Sequence, residues 1–187
     1  MLNKLANFAA FQLGWFACIV GAGTGHPWIG VVVVLISVAI HSTLLPRRNE
    51  LVALVIFAML LGLLSDGILL ILGVVQFPDR ARLITPVPLW MIFMWANFAL
   101  TIPISLQWMT KRYSLAALLG FVGGPVAYYT GMKLDAVLIT ATTQVSLFLI
   151  GLEWGIAMPV LMYVHNQISF NADQERAAQT TTEGMAP

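Results

Sequence analysis

The chain has 187 residues, 59% of them hydrophobic and only 9% charged, with a net charge of +1 and a mean hydropathy of +0.88. A soluble domain carries about 25% charged residues, so this composition excludes a water-facing fold, and a net charge near zero excludes a basic field for nucleic acid. The single cysteine, Cys18, excludes an internal disulfide and a multi-cysteine metal site.

A helix that crosses a bilayer needs about 20 mainly apolar residues, and six such runs follow one another. The first, residues 5–22, ends at Gly23-Thr24-Gly25-His26-Pro27. Lys4 followed by an apolar stretch and Gly21-Ala22-Gly23 also has the outline of a cleaved signal peptide. Asn7 and Gln12 interrupt that stretch, however, and the chain re-enters lipid a few residues later, which favours a retained span. The second run, 28–45, stops at Pro46-Arg47-Arg48-Asn49-Glu50, and the third, 51–77, precedes the polar loop 78–82. The fourth covers 87–108 and is followed by Lys111-Arg112. The fifth, 115–130, closes at Gly131 to Asp135, and the sixth runs over 136–164.

The predicted fold is all-α: a polytopic membrane protein whose domain, residues 1–165, is a bundle of about six transmembrane helices. The polar tail, 166–187, buries too little apolar surface to offset its ordering entropy and is expected to be disordered. Lys4, Arg47, Arg48, Lys111, Arg112 and Arg176 fall on one side, and Arg80, Arg82 and Lys133 on the other. Six against three places both termini in the cytoplasm. Trp28, Trp90 and Trp108 lie near span ends, where amphipathic rings favour the interface. Ala6-Asn7-Phe8-Ala9 echoes Ala96-Asn97-Phe98-Ala99, as an inverted repeat would. Four matched residues in an apolar background carry little weight.

Polar groups inside the spans are the informative ones. Asp66 and Glu153 lie within the third and sixth runs, and a central carboxylate costs about 2.5–3.5 kcal/mol on insertion scales. Such residues face the bundle interior and mark a pathway, a relay or a ligand; the alternative is a protonated carboxyl bonding a neighbouring helix. Gln12, Asn97, Thr101, Ser105, Tyr128 and Gln144 are further candidates for the interior. Asn97, Thr101 and Ser105 recur every four residues, so a continuous helix would align them on one face. Gln12, Asp66 and Asn97, with Tyr128, are expected either to line a common polar cavity or to form separate interhelical hydrogen bonds.

Gly123, Gly124 and Pro125 predict a kink or a short unwound stretch in the fifth span. Gly120 with Gly124, and Gly151 with Gly155, make small faces for close helix packing. His26, His41 and His165 do not share a helix face, so neither haem nor di-iron ligation is supported. The chain holds neither a zinc motif nor a nucleophile elbow nor a phosphate-cradling loop. No metal, no cofactor and no catalytic residue is expected.

Four stretches carry a resemblance: NFAAFQLGWFACIVGA (7–22), GLLSDGILLILGVVQFP (62–78), PLWMIFMWANFALTIPISLQW (88–108) and ALLGFVGGPVAYYTG (117–131). They resemble a bacterial inner-membrane family known as domain of unknown function 2878. Similar proteins are often encoded beside fatty-acyl-modifying methyltransferases and flavin oxidoreductases, which implies a role in membrane-lipid modification or upkeep. Where that family has Thr-Leu-Asn-His-Ser-Leu, this chain has Thr101-Ile102-Pro103-Ile104-Ser105-Leu106, a departure that weighs against an enzyme.

The expected function is therefore a non-catalytic multi-pass protein of the bacterial inner membrane that binds lipid or assists lipid-modifying proteins. Its expected partners are membrane lipids and other membrane or lipid-modifying proteins, not nucleic acid. The alternatives are a small proton-coupled transporter using Asp66, and a lipid-active enzyme with Asp66 and Tyr128 as acid–base groups.

Overall fold

A computed structural model describes residues 4–82, 86–140 and 142–183, with side chains as far as residue 179. Six α-helices dominate it: α1 (Lys4–Gly23), α2 (Trp28–Leu44), α3 (Arg48–Ile71), α4 (Leu89–Ala99), α5 (Tyr113–Lys133) and α6 (Thr143–Glu183). Two short strands, β1 (Val75–Gln76) and β2 (Leu138–Ile139), pair antiparallel with Val75 opposite Ile139. Four helices, α1, α3, α5 and α6, are long and apolar enough to cross a membrane. Large apolar side chains such as Leu13, Leu64 and Ile71 stand exposed on them, a surface matched to lipid rather than water.

Three helices end alike at the end of the bundle that carries the ribbon. In α1, His26 N–H reaches Gly21 O (2.7 Å) and Gly25 N–H reaches Ala22 O (3.2 Å). The same pair of bonds joins Val74 to Leu69 and Gly73 to Leu70 after α3, and Ala136 to Gly131 and Asp135 to Met132 after α5. Each closure satisfies carbonyls that the helix leaves free, and each needs a left-handed residue: Gly25 (φ 79°), Gly73 (φ 65°) and Asp135 (φ 58°). Arg80 ties this end together by donating to Gly23 O and Asp135 O.

The centre of the bundle is α4, with eight of its 11 residues buried. It packs against α1, α2 and α3, and Trp95 and Phe98 meet Trp154 of α6. A single helix over 87–108 is therefore corrected. The α-helix stops at Ala99 and the chain turns through 101–105 into a 3-10 turn at Gln107–Met109. Pro103 lacks the N–H for a further rung and its ring collides with the preceding turn. Irregular backbone within lipid survives only where protein covers it, and the Asn7 amide, which donates to Leu100 O, supplies that cover.

α5 and α6 pack most closely, through the glycine faces. A side chain at Gly120 would overlap the Trp154 carbonyl, and one at Gly151 would meet the Phe121 carbonyl at 2.9 Å. α5 runs unbroken through Pro125, so of the kink or unwound stretch anticipated there the unwound stretch is absent, and the chain unwinds instead after α4.

The polar segment from Asn166, expected to lack structure, continues α6 to Glu183. Its Gln, Ala and Glu residues are good helix formers, and ion pairs dock it on the α2–α3 corner. Arg176 meets Glu50 at 2.6 Å, and Asp173 meets Arg47 at 2.9 Å.

Candidate functional site

The glycine-mediated approach of α5 to α6, and the seating of both beside α4, bring polar side chains from four helices to one place. Asp66 of α3 is fully buried. One of its oxygens accepts from Trp95 Nε1 (2.8 Å) and the other from the Tyr128 hydroxyl. Trp95 can reach because Gly62 gives its ring room: any Cβ there would overlap the indole. The Trp95 ring stacks on Trp154 with centroids 4.4 Å apart and planes 14° from parallel. Glu153, beside Trp154 on α6, interacts electrostatically with both Asp66 and Tyr128.

This cluster is incompletely paired. Both Glu153 carboxylate oxygens, Ser65 Oγ and Trp154 Nε1 are buried with no hydrogen-bond partner among the described residues. Ser65 lies close enough to feel the Glu153 carboxylate, yet the two do not meet at bonding geometry. In a low-dielectric interior an unpaired polar group is costly, and natural structures keep few of them.

Between α1 and α5, over the face of α4, the surface falls into a groove of about 430 Å³. Phe8, Phe16, Leu119 and Val126 form its exposed rims, and Met94 and Phe98 lie among its lining residues. Its wall on α1 extends from Phe8 to Ile19, about 16 Å at the rise of an α-helix. Gln12 projects from that wall, and Tyr128 and Trp154 connect the groove to the buried cluster. Gln12 makes no hydrogen bond among the described residues. At Gly123 an added Cβ would meet nothing within 4 Å, so the absence of a side chain there leaves the groove open.

A second buried node lies nearer the other end. Asn7 donates to Leu100 O (3.1 Å) and to His41 Nε2 (3.0 Å) and accepts from Ser105. His41 Nδ1 bonds Ser37 O at 2.7 Å. A carbonyl only accepts, so Nδ1 donates to it and Nε2 is left to accept from the Asn7 amide. Asn97 stands apart from both clusters: it donates to Phe11 O (2.9 Å), and its own carbonyl oxygen is buried and unpartnered.

Of the sequence-predicted residues, Asp66, Tyr128 and Glu153 come together. Gln12 shares the groove with Tyr128, and Asn97 belongs to a separate contact with α1. Of the two arrangements expected for Gln12, Asp66, Asn97 and Tyr128, a common cavity or separate interhelical hydrogen bonds, the four do not share one cavity: Gln12 and Tyr128 line the groove, Asp66 bonds Tyr128 in the buried cluster and Asn97 bonds α1. Thr101 and Ser105 leave the helix face they were expected to share with Asn97; Thr101 Oγ1 bonds Phe98 O (2.6 Å), and Ser105 bonds Lys4 O (2.9 Å) as well as Asn7. Trp95, Trp154 and Asn7 were not singled out. The available signal was a tryptophan in mid-span, since an indole N–H in lipid needs a partner. Among the described residues no group of three His, Cys, Asp or Glu side chains could hold a metal ion.

A family model described as "Protein of unknown function (DUF2878)" matches residues 4–160. The chain belongs to this family. The match takes in α1 to α5, both polar nodes and the groove, and it stops before the docked extension of α6. No similar curated protein and no similar solved structure was found.

Proposed function

We propose that this is a multi-pass protein of the bacterial inner membrane that holds an apolar lipid chain in the groove between α1 and α5. In this reading the chain crosses the bilayer six times, the fourth time by α4 together with the irregular chain that follows it, and both termini face the cytoplasm, in line with the excess of Lys and Arg on that side. The protein acts as a non-catalytic, lipid-binding accessory to enzymes that modify fatty-acyl chains.

One observation carries the reading. The groove is walled by aromatic and aliphatic side chains, and its rims are residues exposed on the apolar surface. Lipid is the solvent of that surface, so an occupant enters sideways from the bilayer. Binding sites for small apolar molecules are concave, apolar and marked by a few polar groups, the description that Gln12, Tyr128 and Trp154 complete here.

Gly123 lines the groove and a Cβ added there meets nothing within 4 Å, so Gly123→Leu adds bulk at the groove without displacing backbone. Native mass spectrometry of the detergent-released protein is expected to find a co-purified lipid on the wild type and to lose it in this variant at unchanged melting temperature. Equal lipid on both forms would refute the groove as its site.

A further inference from the structure

The cluster beside the groove holds two carboxyl groups and no facing cation, which lipid binding does not explain. Asp66 and Glu153 are the carboxyl groups at its centre. The groups facing them are Ser65 from α3, Trp95 from α4, Tyr128 from α5 and Trp154 from α6. None of these is a cation. Every Lys and Arg lies in a loop, in the first or last turn of a helix, or on the extended end of α6. His41 is committed to Asn7 and Ser37 in the other node. Two ionised carboxylates in a low-dielectric interior would repel each other and each be expensive to desolvate, so the pair is stable only when it takes up a proton or is matched by a cation.

Partner counting gives the second, independent observation. Asp66 already accepts from an indole and a phenol, whereas Glu153 has two buried oxygens with no donor and Ser65 has a buried hydroxyl with none. The unpartnered oxygens of Glu153 and Ser65 belong to the same buried cluster as the oxygens of Asp66 and Tyr128. That is an oxygen-only set with two carboxyl groups, no facing cation and unfilled coordination. Hard cations are held by such oxygen sets, and buried carboxyls in membrane helices commonly mark ion or proton sites.

We propose that Ser65, Asp66, Tyr128 and Glu153 form a binding site for one exchangeable monovalent cation, a proton or an alkali ion, held between the α3 and α6 carboxyl groups. Occupancy neutralises the pair. Tyr128 and Trp154 reach both this site and the groove, so they are the side chains through which each can sense the other. The site does not depend on what the groove holds.

Infrared difference spectroscopy on the full-length protein in nanodiscs tests it. Spectra are taken across a pH series in choline chloride and repeated in sodium chloride. A protonated-carboxyl band that grows as pH falls, shifts in heavy water and is lost in Glu153→Gln identifies the proton as the occupant. The same band suppressed by sodium but not by choline at fixed pH identifies an alkali ion that competes for the site. Asp66→Asn is expected to remove the band as well. If that variant does not fold, Glu153→Gln alone decides, since Glu153 has no hydrogen bond to lose. No Glu153-dependent change with pH or sodium, while the wild type remains folded, would overturn the proposal.

Discussion

Two buried polar nodes within the same bundle follow opposite rules. The Asn7–His41–Ser105 node is closed: each of these side chains has a partner, and together they cover the backbone freed where α4 unwinds. The Asp66–Tyr128–Glu153 node is open, with Glu153, Ser65 and Trp154 each holding at least one buried atom unpaired. A node that exists to hold a fold together satisfies itself. One that retains unsatisfied groups at mid-bundle, beside a groove, has features reserved for something that comes and goes.

The sharpest way to break this contrast is at Asn7. Asn7→Leu removes the partners of His41 Nε2, Leu100 O and Ser105 at once. Thermal unfolding in detergent is expected to reveal a loss of about 2–3 kcal/mol, at about 1 kcal/mol for each hydrogen bond. Glu153→Leu is expected to do far less, or to stabilise, since it removes a carboxylate that has no partner and replaces it with a side chain suited to the interior. A loss at Glu153 equal to that at Asn7 would erase the distinction. The smallest effect belongs to the rim. Arg176→Ala should leave the melting temperature unchanged and raise amide hydrogen exchange only in α6 beyond Asn166. High salt should reproduce this in the wild type, because exposed ion pairs are weak and screened.

How much of this was legible before the structure depends on which force sets each feature. Hydrophobic runs are a property of composition, so six helices appear in the order read, but the run 51–77 ends as a helix at Ile71 and the run from 136 becomes one only at Thr143, because the apolar residues between pair as the β1–β2 ribbon. The stop at Ala99 was not legible. Asn97, Thr101 and Ser105 have the same four-residue spacing whether the helix continues or not, and only cover from Asn7 on α1 makes the break tolerable. The extension of α6 was hidden for a related reason: its composition fits both a disordered tail and a helix, and ion pairs to Arg47 and Glu50 decide between them. In the site, the cost of Asp66 and Glu153 in lipid marked them at once. Their meeting with Tyr128 depends on how three helices are rotated about their axes, a tertiary quantity that spacing along one helix does not encode.

The most direct test of the account is photo-crosslinking with a phospholipid bearing a photoreactive group in its acyl chain, followed by peptide mapping of the labelled protein. Labels concentrated on the facing walls of α1 and α5, at Phe8, Trp15, Leu119 and Val126, and lost in Gly123→Leu are the expected result. Labels spread evenly over outward residues such as Leu64 and Ile156, indifferent to Gly123→Leu, would contradict it.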